Sequence, residues 1–318
     1  MPAIYLTEDD VSRLVTMADA ITAVEIAFRK LAIGAAEYIP RFRARAPGIV
    51  LHSMSAAAGY LGLVGWKNYT TTAKGARFLV GLYRAEDGEL VALMEANRLG
   101  QLRTGAATAV AVGTLADPHA TEVGLFGTGF QAETQLEAII AARPVKQAFV
   151  YGRDAERRNA FAERMSKRLG IDVQPVDRPQ EAAEDLPIVV TATTSPVPVF
   201  DGRDLAEGTL VCAVGNNWLN RAEIDTNVIR RADNVVCDSI KACQNEAGDF
   251  VESLEKGIFD WSKAVDLCDV IAGKATGRNN TDSVVLFKSV GLAIEDVALG
   301  AVVLERALAQ GVGRPVLP

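Results

Sequence analysis

The stretch Glu122-Val-Gly-Leu-Phe-Gly-Thr-Gly-Phe-Gln-Ala132 decides the predicted fold. A short apolar run ends in Gly127-Thr-Gly129, and the pattern from Phe130 onward predicts a helix. This is the G-x-G-x-x-(G/A) arrangement that joins the first strand and helix of a dinucleotide-binding unit, with Ala132 as the small residue that packs against the strand. In this interpretation Gly127 makes the tight turn, and Gly129 lets a pyrophosphate approach the backbone because it has no side chain.

The residues that flank this loop favour a cofactor site over a purely structural turn. Strand–turn–helix loops also use glycine for geometry alone, so the two glycines by themselves leave both interpretations open. Here an apolar strand precedes the loop and a helix follows it. The first N–H groups and the dipole of that helix attract phosphate charge. We therefore predict that the loop binds the pyrophosphate of NAD or NADP.

From Thr121 the chain alternates between strand and helix patterns. Strands are predicted at 122–126, 147–151, 171–176, 187–191, 209–214 and 234–238. Helices are predicted at 130–142, 155–169 and 225–231, with a short one near 179–184. Such alternation requires right-handed crossovers and therefore predicts a parallel sheet, with ligands bound beyond the carboxyl ends of its strands.

Two loops and one strand end are expected at that edge of the sheet. Thr191–Pro196 and Ala213–Trp218 follow the fourth and fifth strands, so Thr193 and Val214 should face the cofactor. An NAD-selective site normally has an acidic residue at the end of its second strand. Here that strand ends in Gly152-Arg153, and Arg157 and Arg158 lie nearby, an arrangement that suits a 2′-phosphate. We therefore predict NADP, with NAD as the alternative.

The chain before Asp117 has a different organisation. Helices are predicted over Glu8–Leu14, where Thr7 and Asp10 form a capping pattern, and over about Ala18–Ala32. Two strands, 77–85 and 89–95, are joined by the hairpin signal Glu86-Asp87-Gly88, which indicates a mostly antiparallel sheet. A helix rich in small residues follows over 98–115. The last apolar stretch, about 283–309, predicts a helix that crosses back onto this N-terminal part.

Several cations of the N-terminal part are candidates for binding an anion. Arg41, Arg43 and Arg45 alternate at period two, so on a strand they share one face, as a solvated edge or as a carboxylate site. Lys67 ends a strand-like apolar run, where lysine is rare, and is predicted to be functional rather than an edge residue. The glycines at 62 and 65 would leave room for a ligand beside it. Arg103 lies near the start of the helix rich in small residues and is also a candidate for binding an anion.

Composition excludes several classes of protein. The chain has 318 residues, enough for two domains, with an apolar fraction of 49% and a charged fraction of 23%. The net charge of −7 argues against a nucleic-acid or anionic-membrane partner. The N-terminal residues lack a signal-peptide pattern, and the scattered cysteines fit reduced thiols, so a cytoplasmic protein is expected. Only His52 and His119 are present, so no His-rich metal site is predicted.

These landmarks together resemble the ornithine cyclodeaminase/mu-crystallin family along nearly the whole chain. The resemblance rests on Pro40-Arg41, Leu51-His-Ser-Met54, Gly65-Trp-Lys67, Leu102-Arg103-Thr104-Gly-Ala-Ala, Gly127-Thr-Gly-Phe-Gln-Ala132, Val214-Gly-Asn-Asn217, Glu223-Ile-Asp225 and Phe287-Lys-Ser-Val-Gly291. It implies an α/β protein with two domains. Residues 117–287 would form a Rossmann-type dinucleotide-binding domain, and 1–116 with 288–318 an α+β substrate-binding and dimerisation domain completed by the C-terminal helix.

The resemblance also implies roles for individual residues. Lys67 and Arg103 match the family's catalytic and carboxylate-binding cations, and Arg41 matches the upstream arginine, with Arg43 as the alternative. The positions that contact the cofactor in the family correspond to Thr104, Gly127, Thr128, Gly129, Phe130, Gln131, Arg153 and Thr193. A homodimer is expected from the same resemblance.

Asn217 distinguishes between the activities found in the family. It occupies the position of the aspartate that assists deamination in ornithine cyclodeaminase, and an amide cannot act as a carboxylate base. The expected function is therefore an NAD(P)H-dependent reductase of small 2-imino acids such as 1-pyrroline-2-carboxylate. The alternatives are an ornithine cyclodeaminase, an alanine-dehydrogenase-like enzyme and a non-catalytic, crystallin-like protein that binds a nucleotide or small ligand. Apolar walls from Met54, Trp66 and Trp218 are expected to set specificity.

Overall fold

The computed structural model describes residues 2–316, and the chain divides into two compact units. The first unit combines the chain up to Ala106 with the segment from Gly291 onward, and the second is Ala107–Val290. The boundaries expected from the sequence were 116/117 and 287/288. The first observed division falls inside a continuous helix, so the residues of that helix are shared between the units. The roles assigned to the two units remain predictions.

The first unit begins with three helices and six strands. They are β1 (Ile4–Leu6), α1 (Glu8–Leu14), α2 (Met17–Ala32), β2 (Glu37–Ala46), β3 (Ile49–Ala58), β4 (Leu63–Thr72), β5 (Gly75–Arg84), β6 (Leu90–Glu95) and α3 (Asn97–Leu115). The predicted start of α1 is confirmed: Thr7 Oγ1 accepts a hydrogen bond from Asp10 N at 3.3 Å, and Asp10 Oδ2 accepts one from Thr7 N at 3.0 Å. This capping box satisfies two N–H groups that the helix itself leaves without partners.

The second unit alternates strands with helices. Its elements are β7 (Glu122–Phe126), α4 (Phe130–Ala142), β8 (Gln147–Tyr151), α5 (Ala155–Leu169), β9 (Asp172–Pro175), β10 (Ile188–Thr191), β11 (Leu210–Ala213), α6 (Thr226–Arg231), β12 (Asn234–Cys237), α7 (Ile240–Glu246), α8 (Val251–Glu255), β13 (Ala264–Asp266), α9 (Leu267–Ile271) and β14 (Val285–Lys288). The short helix predicted near 179–184 is a 3-10 turn over Pro179–Ala182. The chain then returns to the first unit with α10 (Ala293–Gln310) and β15 (Arg314–Pro315).

The sheet of the first unit has the order β15-β1-β6-β5-β4-β3-β2 and is antiparallel except for the β1–β6 pair. The antiparallel hairpin predicted at Glu86-Asp87-Gly88 joins β5 to β6. Helix α10 packs directly on this sheet at Gly65, where an added Cβ would lie 2.8 Å from Val297 Cγ2. The expectation that Gly65 leaves room for a ligand was therefore wrong, because the helix fills that space.

The sheet of the second unit is parallel throughout, as predicted. Its order is β13-β12-β14-β11-β10-β7-β8-β9. The strand order reverses between β7 and β10, since the chain continues to β8 on one side and crosses to β10 on the other. A reversal of this kind opens a crevice at the carboxyl ends of the strands, where open α/β sheets bind their ligands.

The helix predicted over about 283–309 was wrong for its first ten residues. Val285–Lys288 form β14, which pairs with both β11 and β12 in the middle of the parallel sheet. A short, fully buried strand carries no period-two signal, so its apolar run reads like the start of a helix. Gly291, with φ +81°, separates the strand from α10. The segment 247–282 contains the short elements α8, β13 and α9.

None of the helices within residues 2–316 is long and apolar enough to cross a membrane.

Candidate active site

The glycine-rich turn has the geometry that its sequence predicts. Gly127 has φ +113°, and its N–H donates to Tyr151 O at 2.9 Å. A Cβ at this position would lie 2.5 Å from Ala192 O, so only glycine fits. Gly129 is the N-cap of α4, and no protein atom lies within 4 Å of the point where its Cβ would be. The backbone is therefore open at the helix N-terminus, which suits a pyrophosphate.

A cleft of about 740 Å³ lies at the carboxyl ends of β7, β8 and β10. The sequence-predicted residues that line it are Gly127, Thr128, Gly129, Arg153 and Thr193. Phe130 and Gln131 are the first two residues of α4, and Val214 directly follows β11, where its N–H donates to Thr191 O at 3.0 Å. Thr104 lies in α3, and its hydroxyl donates to Gly100 O at 2.7 Å. The structure thus groups five of the predicted cofactor residues around one cleft.

Three arginines near the end of β8 have different environments. Arg153 and Arg157 line the cleft and are exposed. Arg158 is buried, donates to Gly152 O at 2.8 Å and forms an ion pair with Asp177, so it stabilises the loop and is not positioned for a ligand. Asp154 is the N-cap of α5 and accepts from Arg157 N at 3.0 Å. Its carboxylate therefore has a structural partner of its own.

Glu223, a buried carboxylate for which the sequence predicted no role, fixes the two loops beside the cleft. Glu223 Oε1 accepts hydrogen bonds from both the N–H and the hydroxyl of Thr193, each at 2.7 Å. Its other oxygen accepts from Gly215 N, also at 2.7 Å. One side chain therefore ties the loop after β10 to the loop after β11. Burial raises the pKa of Glu223, against the charge of Lys288 and the hydrogen bonds from Thr193.

Lys288 completes this buried network. Its Nζ lies 2.7 Å from Asp249 Oδ2 and donates to Asn216 O at 2.9 Å. Asp249 Oδ1 in turn accepts from the backbone N–H of Glu223 at 2.6 Å. Asn217 directly follows Asn216 in the same loop of the second unit and is half-buried. The loop that carries Asn217 is thus fixed by Glu223 on one side and Lys288 on the other.

The first unit buries a second group of charges. Lys67 is 2% exposed, and its Nζ donates to Asp296 Oδ1 at 2.7 Å. Arg103 Nη1 donates to Glu295 Oε2 at 2.8 Å, and its Nε lies 3.2 Å from Asp296 Oδ1. Arg41 is also buried, and its Nη2 donates to Gly291 O at 3.4 Å. The three cations predicted from the sequence therefore lie close together, and two carboxylates from α10 lie beside them.

The surroundings of Lys67 disfavour its charge. Burial, and then the charge of Arg103, lower the pKa of Lys67 to about 8, although Asp296 opposes the shift. Gly100 on α3 makes room for the amine, because a Cβ there would lie 2.9 Å from Lys67 Nζ. Gly291 likewise makes room for Arg103, because a Cβ at Gly291 would lie 2.3 Å from Arg103 Nη1. Burial also opposes the charge of Arg103, but Asp296 and Glu295 outweigh it and raise the pKa.

Arg41, Arg43 and Arg45 lie near His52 at the edge of the sheet. Arg43 is the cross-strand partner of His52, and burial together with the three arginines lowers the pKa of His52 to about 4. Of the three, Arg41 is the buried one and contributes to the shift at Lys67. A register shift between Ile39 and Phe42 interrupts the regular pairing of β2 just where Arg41 lies.

The aromatic walls expected around the site are separated by the sheet. Met54 is buried and is the cross-strand partner of Lys67, so the two share one face. Trp66 points to the opposite face and covers Gly81, whose Cβ position lies 2.4 Å from the Trp66 ring. The expectation that Trp66 lines the pocket was wrong, because neighbouring residues of a strand point to opposite faces. Trp218 belongs to the second unit.

Glu295 and Asp296 were also missed, although the sequence contains a signal for them. They are two acidic residues in the apolar first part of the helix, and both are fully buried. Charged residues of this kind are rarely buried unless they are paired. The apolar residues on either side of them are enough to predict the helix, so the pattern gave no reason to single out the two acidic residues. Within residues 2–316, no group of three or more His, Cys, Asp or Glu side chains is placed to bind a metal ion.

Comparison with known proteins supports both parts of this picture. A Delta(1)-pyrroline-2-carboxylate reductase from Bacillus cereus is 35% identical over 239 residues, which cover 75% of this chain and 73% of that protein. The structure of the Thermococcus litoralis Delta(1)-pyrroline-2-carboxylate reductase in complex with NADH and L-proline matches with a TM-score of 0.93 at 32% identity, covering 98% of this chain and 100% of that one. An archaeal alanine dehydrogenase dimer with bound NAD matches with a TM-score of 0.93 at 29% identity, covering 100% and 99%.

The family model for ornithine cyclodeaminases and mu-crystallins matches residues 2–311, nearly the full length of the chain. This match confirms the resemblance drawn from the glycine-rich turn and the scattered cations, and the solved structures confirm the α/β fold class. The chain belongs to the ornithine cyclodeaminase/mu-crystallin family.

Proposed function

We propose that this protein is an NAD(P)H-dependent reductase that converts small 2-imino acids, such as 1-pyrroline-2-carboxylate, into the corresponding amino acids. The single observation that carries the proposal is the buried group of Arg41, Lys67 and Arg103 in the first unit. Buried guanidinium groups beside a buried amine suit a substrate carboxylate, because arginine binds carboxylates in a bidentate way. The Bacillus cereus and Thermococcus litoralis proteins named as Delta(1)-pyrroline-2-carboxylate reductases support the choice of substrate.

Each cation has a distinct task in this proposal. Arg41 and Arg103 hold the substrate carboxylate, because guanidinium groups bind carboxylates in a bidentate way. Lys67 provides the proton for the imine nitrogen: with its pKa near 8 it is protonated at neutral pH and still gives up a proton readily. The bound dinucleotide supplies the hydride to the carbon of the C=N bond. The protein contributes position and electrostatic field.

The dinucleotide site is assigned to the cleft of the second unit. Gly127 and Gly129 shape a turn that admits a pyrophosphate, and Glu223 fixes the neighbouring loops. Arg153 and Arg157 line the same cleft and favour the 2′-phosphate of NADPH. The Thermococcus relative was solved with NADH and the archaeal alanine dehydrogenase with NAD, so NADH is the second cofactor to test.

Asn217 supports reduction over cyclodeamination. It lies in the loop after β11, where it can orient a water or an amine by hydrogen bonds. An amide takes no proton, so the second candidate activity, an NAD-dependent cyclisation of ornithine, lacks its carboxylate base at this position.

We further propose that the protein works as a homodimer. The sheet face opposite Lys67 presents exposed apolar side chains, among them Phe42, Leu51, Val64 and Leu79. An apolar surface of this extent is typical of a protein–protein interface. The archaeal alanine dehydrogenase of the same fold was solved as a dimer. Sedimentation of the wild type and of a Phe42→Lys variant tests the assignment, because the variant should sediment as a monomer.

Absorbance of the reduced nicotinamide tests the activity. NADPH and NADH are each offered with 1-pyrroline-2-carboxylate, 1-piperideine-2-carboxylate, or pyruvate plus ammonia. Oxidation of either cofactor with the cyclic imines, faster with NADPH, is the expected result. A parallel reaction with ornithine and oxidised cofactor is assayed for ammonia and proline. Ammonia and proline from ornithine without net cofactor consumption would identify a cyclodeaminase instead.

A further inference from the structure

Glu223 connects three segments of the second unit from a fully buried position. Its Oε1 accepts hydrogen bonds from the N–H and the hydroxyl of Thr193, and its Oε2 accepts one from Gly215 N, each at 2.7 Å. The backbone N–H of Glu223 donates to Asp249 Oδ1 at 2.6 Å, and its carbonyl accepts from Val199 N at 2.9 Å. One residue therefore holds the loop after β10 at two points and ties it to the loop after β11.

The two loops are in direct contact at Gly215. A Cβ at Gly215 would lie 2.3 Å from Thr193 N and 2.5 Å from Glu223 Oε1, so a side chain does not fit there. Thr193 also lies beside the glycine-rich turn, because a Cβ at Gly127 would lie 3.4 Å from Thr193 Cγ2. Thr193 is half-buried and lines the cleft. Its hydroxyl is therefore placed next to the proposed pyrophosphate site.

The hydroxyl of Thr193 has one hydrogen-bonding position left. A hydroxyl group donates one hydrogen bond and accepts up to two. The Thr193 hydroxyl donates to Glu223 Oε1, and one of its lone pairs accepts from Ser195 N at 3.1 Å. Within residues 2–316 this oxygen makes no other hydrogen bond. Thr193 can therefore accept one hydrogen bond from a ligand and donate none.

The direction of the bond between Thr193 and Glu223 follows from the charge of the carboxyl group. A carboxylate has no proton, so the hydroxyl must donate to it. Three donors converge on the two oxygens of Glu223, as a carboxylate requires. Burial raises the pKa of Glu223 and Asp249 adds to the rise, whereas the charge of Lys288 and the hydrogen bonds from Thr193 favour the charged form.

The order of the strands indicates which part of the cofactor lies at Thr193. The glycine-rich turn follows β7, Arg153 follows β8 on one side of β7, and Thr193 follows β10 on the other side. With the pyrophosphate at the turn and the adenosine 2′-phosphate at Arg153, the nicotinamide half extends toward β10. The hydroxyls of the nicotinamide ribose are the hydrogen-bond donors of that half closest to the pyrophosphate.

We propose that Glu223 is a positioning residue of the cofactor site, which holds the Thr193 hydroxyl as an acceptor for a hydroxyl of the nicotinamide ribose. Glu223 acts through Thr193 and through the backbone of the two loops. The assignment rests on the proposed function, because it requires a dinucleotide in the cleft, and it names the part of the cofactor that the loop after β10 recognises.

Cofactor analogues test the polarity of Thr193 in the wild-type protein. They are forms of NADPH with hydrogen or fluorine in place of the 2′- or the 3′-hydroxyl of the nicotinamide ribose. Binding is measured by tryptophan fluorescence at pH 8, which favours the charged form of Glu223. Hydrogen removes donor and acceptor alike, whereas fluorine remains a weak acceptor. At one of the two positions both replacements should weaken binding about threefold to tenfold, with fluorine no better than hydrogen.

Two results with the analogues would overturn the proposal. Tighter binding of the fluorine analogue than of the hydrogen analogue at the sensitive position would show that the protein donates there. Binding equal to that of NADPH by all four analogues would show that neither ribose hydroxyl is recognised.

Two variants test whether Glu223 acts through Thr193. Thr193→Val removes the hydroxyl at similar volume, and Glu223→Gln keeps the hydroxyl of Thr193 but has only one oxygen, so it cannot accept from both Thr193 N and Gly215 N. Glu163→Gln, on the exposed side of α5, is the matched control for the second variant. In both Thr193→Val and Glu223→Gln the dissociation constants of NADPH and of the hydrogen analogue should agree within about twofold. Glu163→Gln should discriminate between them as the wild type does.

A purely structural role of Glu223 predicts a different pattern. Glu223→Gln would then weaken NADPH and the hydrogen analogue by the same factor and keep the wild-type ratio, which would overturn the positioning role. Circular dichroism establishes that the variant is folded. If it is not, Gly215→Ala replaces it, because the added methyl group presses on Thr193 N and Glu223 Oε1 and should abolish the discrimination in the same way.

Failure of this proposal is distinguishable from failure of the proposed function. A wild type that binds neither NADPH nor NADH would remove the dinucleotide site itself. A wild type that binds the cofactor but reduces no imine would remove the reductase assignment, and the binding ratios would still decide the roles of Thr193 and Glu223. If imines are reduced, Glu223→Gln should raise KM for NADPH and leave KM for the imino acid unchanged.

Discussion

Two lysines of this protein are almost completely buried, and their surroundings are opposite. Lys67, in the first unit, has Arg41 and Arg103 as charged neighbours besides Asp296, and burial lowers its pKa to about 8. Lys288, in the second unit, is paired with Asp249 near Glu223 and donates to a backbone carbonyl. Burial opposes the charge of Lys288, but Asp249 and Glu223 outweigh it and raise the pKa.

The difference is the one expected if Lys67 has the proposed chemical role and Lys288 a structural one. The group around Lys67 places Arg103 and Arg41 near its amine and leaves Asp296 Oδ2 without a hydrogen-bond partner among the described residues, so this oxygen can accept a further donor. The group around Lys288 distributes its hydrogen bonds over Glu223, Asp249 and the loop backbone, so it fixes the fold of that unit. Burial alone thus does not distinguish the two lysines, whereas the charges around them shift their pKa values in opposite directions.

Replacing Lys67 with Met should have the largest effect on turnover. The variant loses the proton donor and a positive charge beside the imine, and kcat should fall about 10²- to 10⁴-fold. Cofactor affinity should hold, because the dinucleotide cleft belongs to the second unit. The measurement is steady-state reduction of 1-pyrroline-2-carboxylate together with fluorescence titration of NADPH. Wild-type turnover in Lys67→Met would remove Lys67 from the mechanism.

Replacing Lys288 with Met should act on stability instead. The substitution leaves Asp249 buried without its cation, with Glu223 nearby, and should lower the free energy of unfolding by about 3–5 kcal/mol. The same change at Lys67 should cost far less, because Asp296 keeps Arg103 at 3.2 Å. Chemical denaturation of both variants, followed by circular dichroism, makes the comparison. Equal losses of stability would show that the charged groups around Lys67 and around Lys288 contribute to the fold in the same way.

The pH dependence of stability should also differ in sign between the two lysines. The folded state loses the Lys67 proton near pH 8, whereas the unfolded chain keeps it until its ordinary pKa of 10.5. Between these values the unfolded state binds more protons, so Lys67 makes stability rise with pH, by up to about 3 kcal/mol. Lys288, with its raised pKa, contributes stability below the unfolded pKa that is lost as pH rises through the folded one.

Denaturation of wild type and Lys67→Met between pH 7 and pH 10 isolates this contribution. The free energy of unfolding of the variant, relative to that of the wild type, should be highest at pH 7 and should decline toward pH 10. A difference that is constant with pH would contradict a lowered pKa at Lys67.

The sequence predicted the second unit well because its signals are local. The strands at 122–126 and 147–151 and the helices at 130–142 and 155–169 match the structure residue for residue, since each is defined by its own periodicity and its own turn. Lys67 was singled out for the same reason: a lysine in an apolar strand is unusual wherever it lies. The carboxylates that hold Lys67 and Arg103 were not found, because Lys67 and Asp296 are separated by 229 positions and no local pattern connects them.

The same limit explains the other corrections. Trp66 is next to Lys67 in sequence, and only the pairing of β4 with β5 shows that it covers Gly81 on the other face. Val285–Lys288 appeared helical because a strand of four residues, three of them apolar, is too short to define a period. Sequence therefore singled out Lys67 and Arg103 as unusual cations, whereas tertiary pairing determines which carboxylates lie beside them.

Two glycines on one helix allow a test of whether the position of the Lys67 amine affects turnover. Gly100 and Gly113 both lie in α3, but a Cβ at Gly100 would lie 2.9 Å from Lys67 Nζ, whereas no atom lies within 4 Å of that position at Gly113. Alanine in a helix is favoured over glycine by about 1 kcal/mol, so Gly113→Ala should raise stability and leave kcat unchanged. Gly100→Ala should also keep or raise stability, because the end of a lysine side chain moves easily, yet it should lower kcat several-fold by displacing the amine from Asp296. Equal activity in both variants would show that the position of the Lys67 amine does not limit the reaction.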